Sequence, residues 1–182
     1  MAVAGMLAAG GLFTLAPAAS ASTLLVSCPT GNVTGSGTVS PPIPKTNTQK
    51  NTLMSSGSFS GCTGQETSGT FSSTQTTVAP VTCASLKAPP PPAGTVLSTG
   101  TFTITWGDNT QSTGTVKSKS SGMVGVPGPV IEKITSGQFF LAGHTTKSKT
   151  TLTLTPGQTS CGTTGISSFT FTNASPANTT QT

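Results

Sequence analysis

Charge is what this chain of 182 residues has least of. Only 6% of it is Asp, Glu, Lys or Arg, where soluble domains average roughly 25%. Arg and Tyr are absent, and His and Trp occur once each. Without the guanidinium fork that grips phosphate, and without aromatics free to stack on bases, nucleic acid is not an expected partner. No cysteine pair has C-x₂-C spacing, and a lone His cannot complete a usual zinc site. Three acids (Glu66, Asp108, Glu132) are too few for a calcium loop. No metal and no cofactor are expected.

The same scarcity weighs against catalysis. There is no Gly-x-Ser-x-Gly elbow, and the only base for a serine nucleophile is His144, in Leu141-Ala142-Gly143-His144-Thr145. A Ser/His144/Asp108 triad is available by composition, but a surface turn is the simpler reading of His144. Glycoside hydrolysis needs two carboxylates flanking one bond. Glu66 and Asp108 sit in turn-like contexts, and Glu132 sits on a strand beside Lys133. The chain is read as a non-enzyme.

What is plentiful is Ser and Thr, together roughly a third of the residues. The N-terminal stretch differs: an apolar run from Ala2 to Ala16 is broken by Pro17 and followed by Ala19-Ser20-Ala21. That is the pattern of a secretory signal peptide, 1–21, too short for a membrane span. No Lys or Arg precedes the run, which points to a start further upstream. The rest divides into one domain, 22–172, and a tail, 173–182, without a large apolar residue. No later segment approaches a membrane span. A secreted protein is expected. The alternative is lipid anchoring through Cys28, since Leu25-Val26-Ser27-Cys28 fits a lipobox.

Four cysteines in an exported chain argue for two disulfides. Of the three connectivities, Cys62–Cys83, closing a local loop, and Cys28–Cys161, tying the domain's ends, are the expected pair.

Beyond the leader, alternation of period two dominates. In Thr101-Phe102-Thr103-Ile104-Thr105-Trp106 the large residues share one face and the threonines the other. Gly107-Asp108-Asn109 turns the chain into a partner strand, Ser112 to Ser118. Further strands are expected at Leu24–Cys28, Val33–Val39, Leu53–Ser60, Ser68–Val78, Val130–Ser136, Ser148–Thr155 and Ser167–Thr172. Pro41-Pro42-Ile43-Pro44 should end a strand, and Ala88 to Ala93 should form a stiff exposed connector. Short strands at this spacing suit a sandwich or barrel. The expectation is a single antiparallel β-sandwich, immunoglobulin-like, of about eight or nine short strands with two disulfides.

The phrases Ser60-Gly61-Cys62-Thr63-Gly64, Val81-Thr82-Cys83-Ala84-Ser85-Leu86, Gly100 to Trp106, Thr135-Ser136-Gly137-Gln138-Phe139 and Leu152-Thr153-Leu154-Thr155-Pro156 resemble small exported actinobacterial proteins rich in Ser, Thr and Gly. That resemblance covers most of the chain beyond the leader. It implies an all-β fold and export, and no activity. Trp106-Gly107-Asp108-Asn109 also resembles, over barely ten residues, the Trp-Gly-Asp-Gly hairpin of bacterial immunoglobulin-like and PKD-like surface modules, with Asn109 in place of the Gly.

Candidate contacts follow. Trp106 reads as core by its phase and as a sugar platform if exposed, and Phe139 and Phe140 are the other candidate ligand contacts. The net charge of +5 is all lysine. Lys117/Lys119 and Lys147/Lys149 are spaced to share a strand face, either protecting edges from aggregation or touching an anionic polymer. Asn32, Asn173 and Asn178 open N-glycosylation patterns. The expected function is a secreted, non-catalytic structural or adhesive protein of the cell periphery, with an extracellular carbohydrate-binding module as the alternative. Cell-wall or extracellular polysaccharide is the expected partner.

Overall fold

Large or small residues facing in, and hydroxyls facing out, recur on strand after strand, and this alternation curls into a closed tube. The structure is a computed structural model describing residues 22–43, 49–123, 126, 128–156 and 165–182. The proposed leader and Cys161 lie outside them. The strands are β1 (Thr23–Cys28), β2 (Val33–Ile43), β3 (Thr52–Phe59), β4 (Thr63–Gly64), β5 (Gly69–Thr77), β6 (Val96–Trp106), β7 (Gln111–Lys119), β8 (Pro129–Gly137), β9 (Thr146–Pro156), β10 (Ile166–Asn173) and β11 (Ala177–Gln181). One helical turn, α1 (Cys83–Lys87), is capped by Thr82 and Ser85.

All pairings are antiparallel, and each main strand pairs with its sequence neighbour. β10 bonds to both β9 and β2, which closes the ring. β1 runs on into β2, β3 into β4 and β10 into β11, each pair acting as one interrupted strand. The result is a closed antiparallel barrel of eight strands, which replaces the expected immunoglobulin-like sandwich. From Phe102 the register runs one way to Thr146. The other way it reaches Pro156, ten residues further along β9. That stagger tilts the strands and sets the bore, which at eight strands is filled by side chains or holds one small ligand.

The bore is filled by a repeated device. Phe59, Phe71, Phe102, Phe169 and Phe171 each stand directly opposite a glycine on the neighbouring strand: Gly69, Gly57, Gly114, Gly37 and Gly35. A Cβ on Gly37 would lie 2.3 Å from the Phe169 ring, and one on Gly57 2.7 Å from the Phe71 ring. Each ring therefore lies in the space its partner's missing side chain leaves. Trp106 meets Phe59 and Phe139 edge to face, at centroid distances of 5.6 and 4.9 Å. A second apolar cluster of Val39, Ile43, Cys83 and Ile166 lies at the opposite end, beside α1.

Several expectations are corrected. Among the described residues one disulfide is found, Cys28–Cys62, and it excludes both expected pairings, Cys28–Cys161 and Cys62–Cys83. It also commits the sulfur that a lipid anchor on Cys28 would need. β2 continues through Pro41 and Pro42 to Ile43. The segment 173–182 is no tail, because β11 pairs with β1 on one side and β9 on the other, with Thr179 buried. The barrel domain thus runs on past residue 172.

Candidate functional site

The interrupted strands define where the barrel opens inside. β1 stops at Cys28 and resumes as β2 at Val33, and directly alongside β10 stops at Asn173 and resumes as β11 at Ala177. Asn173, 1% exposed, joins the two gaps. Its Oδ1 accepts from the Val33 backbone N–H at 2.9 Å, and its Nδ2 donates to the carbonyls of Pro29 and Ser175, both at 2.9 Å. Its burial rules out a glycan on Asn173 in the folded chain. The Cys28–Cys62 bond ties the same level to the break between β3 and β4.

At that level lies a cavity of about 70 Å³, whose wall includes Cys28, Val33 and Ala177 from the gap edges and the aromatics Phe59, Phe71 and Trp106. Among these stands one charged group, Glu132. On β8 the residues Val130, Glu132 and Ile134 share the inward face, with Ile134 2% exposed. Glu132 pairs with Val116 on β7 and with Ser148 on β9. It is half-buried and lines the cavity. Burial pushes its carboxyl up to about 7, against a smaller opposing effect of a hydrogen bond with Ser148. The other polar wall residues are hydroxyls, Thr150 and Thr179.

The remaining acids lie elsewhere. Thr110 donates to Asp108 through both its hydroxyl and its backbone N–H, which holds the Asp108 carboxyl below its usual value. Asp108 thus serves its own turn, where Asn109 takes the left-handed conformation (φ 67°) that a Gly would otherwise supply. The Thr110 hydroxyl also meets Gln138, whose amide donates to Glu66. Glu66 and Asp108 are linked through this chain at one barrel end, while Glu132 faces the bore. His144 is exposed in the turn before β9.

Of the candidate ligand contacts, Trp106 is 3% exposed and its indole N–H donates to the Ser112 hydroxyl at 2.8 Å. It is a core residue that also lines the cavity. Phe139 packs on it, and Phe140 stands exposed beside Leu141. Among the described residues no three His, Cys, Asp or Glu side chains group as metal ligands would.

The candidate lysines converge on the outside. Lys117 and Lys119 lie on the outer face of β7, Lys147 and Lys149 on that of β9, and Lys133 on β8 between them. Lys133 and Lys147 are direct cross-strand partners, and Lys117 and Lys149 flank Ile131 in the next row. Glu132, the one acid on these strands, points the other way. Lys133 escaped the sequence reading because it has no lysine two residues away. Elsewhere the outer face carries rows of paired hydroxyls, such as Thr170, Ser36, Ser56, Ser72 and Thr103. This is unlike the apolar band of a lipid-facing barrel. No helix among the described residues is long and apolar enough to cross a membrane.

Compared with family models, with curated proteins and with solved structures, the chain matches none.

Proposed function

We propose that this is a secreted, non-catalytic adhesive protein of the cell periphery, held to anionic envelope polymer by the outer face of β7, β8 and β9. The observation that carries the reading is the gathering of five lysines on that face with no acid among them. Like charges directly opposite on adjacent strands destabilise a sheet, so the Lys133/Lys147 pair favours a bound polyanion over a free surface. The disulfide is compatible with an extracellular location. The carbohydrate-module alternative has less behind it, because Trp106 is buried and Phe139 leans on it.

Co-sedimentation with isolated cell walls tests the reading. The protein should pellet at low salt and be released at high salt, since exposed charges are screened beyond about 8 Å at physiological ionic strength. Replacing Lys117, Lys133, Lys147 and Lys149 by Gln should abolish pelleting. Retention that survives salt would instead support a specific sugar site, and no pelleting at either salt would discard both readings.

A further inference from the structure

A carboxyl facing into a barrel usually has a cation opposite it, and among the described residues Glu132 has none. The groups facing it are Val116 from β7, Ser148 and Thr150 from β9, Thr179 from β11 and Val26 from β1. The lysines of β7, β8 and β9 all point outward. The rest of the wall includes Phe59 and Trp106, which pack edge to face on one another, and Phe71. A carboxylate sharing a cavity wall with three aromatic side chains is suited to an organic ammonium ion, which gains from the charge and from the ring quadrupoles together. The two attractions reinforce each other only for a ligand that is both cationic and apolar at its surface. A strongly hydrated inorganic cation would forfeit its water against those rings.

We propose that the barrel cavity is a binding site for a small alkylammonium ion, held by Glu132 and walled by Phe59, Phe71 and Trp106. The size of the cavity, about 70 Å³, suits a ligand of methylammonium or trimethylammonium dimensions. It is far below the roughly 300–1,000 Å³ of sites for drug-sized molecules. The site is independent of the lysine face, which lies on the other side of the same wall.

Trp106 is the sole tryptophan, so its fluorescence reports on this wall alone. The full chain beyond the leader would be titrated at pH 8 with methylammonium and trimethylammonium chloride, and with tert-butanol as a neutral body of similar size. A saturable change with trimethylammonium is expected, half-complete on the order of 1 mM for so few contact atoms. It should weaken at least about tenfold at pH 5, where Glu132 is protonated. It should vanish in Glu132→Gln, which keeps the shape and removes the charge. No saturable change at pH 8 would overturn the proposal, as would an equal response to tert-butanol or an undiminished response in Glu132→Gln. Should that variant fail to fold, the pH 5 against pH 8 comparison on the unaltered chain decides. Because the readout involves no cell wall, its failure leaves the adhesive reading standing, and the reverse holds too.

Discussion

The two sides of this barrel are held together differently. From β5 to β8 the strands run unbroken, and continuous ladder bonds do the joining, with Phe102 packed opposite Gly114 between β6 and β7. On the side formed by β10 and β11, β1 and β2, and β3 and β4, every strand is interrupted, and single residues bridge the gaps. Asn173 and the Cys28–Cys62 bond stand where regular pairing stops. A repeated pattern distributes stability over many small contributions. An interruption concentrates it in a few groups, and opens the space beside them.

The sharpest way to break the contrast is at Asn173. Replacement by Ala should leave the buried Val33 N–H without a partner and remove one hydrogen bond each from the Pro29 and Ser175 carbonyls, which keep the Asn32 N–H and the Thr150 hydroxyl. At roughly 1–3 kcal/mol for the orphaned donor and about 0.5–1.5 kcal/mol for each of the two lost bonds, unfolding should become easier by about 4 kcal/mol. Urea melts would show it, and a loss below about 1 kcal/mol would mean that water takes over the role.

Glu132 gives the next effect. Folding raises its carboxyl from 4.5 to about 7, so between those values the folded chain holds a proton that the unfolded chain has released. Stability is therefore fully present below about pH 4.5 and lost as pH climbs through about 7, by roughly 3 kcal/mol in all. Thermal melts from pH 4 to 8 should show that decline, and Glu132→Gln should flatten it while stabilising the protein at the alkaline end. A wild-type profile as flat as the variant's would place the carboxyl in contact with bulk water.

On the unbroken side, Gly114→Ala sharpens the comparison with a smaller effect. Its Cβ would stand 2.0 Å from the Lys133 carbonyl oxygen and 2.8 Å from the Phe102 ring. Neighbouring strands must shift, at about 1–3 kcal/mol, and the same urea melts would measure it. An unchanged midpoint would show that the Phe–Gly pairs are not tightly packed.

The strands were legible because alternation is local. All the segments read as strands are strands, and Phe102, Ile104 and Trp106 do face the core. Closure was not legible, because it depends on β10 meeting β2 across more than a hundred residues of chain and on a stagger that no single strand displays. β11 escaped because its inward positions, Ala177 and Thr179, are too small to produce an apolar rhythm. The recurring Ser-Gly and Thr-Phe phrases were visible as vocabulary, but their meaning appears only in register, where the Gly of one strand faces the Phe of the next. Glu132 carried a usable signal: it lies two residues from both Val130 and Ile134, so on a strand that buries those apolar side chains it must face inward too. The disulfide had no such signal, since spacing along the chain says nothing of which cysteines share a gap.

The pairing of β1 with β11 also sets an order of events during synthesis. β1 and β2 emerge early with one edge that only β10 and β11 can cover, and those are made last. Until then the growing sheet exposes unpaired backbone at both margins, which invites pairing with other chains. A chain translated to Gln158 but no further would carry nearly the whole wall and still be an open, adhesive sheet.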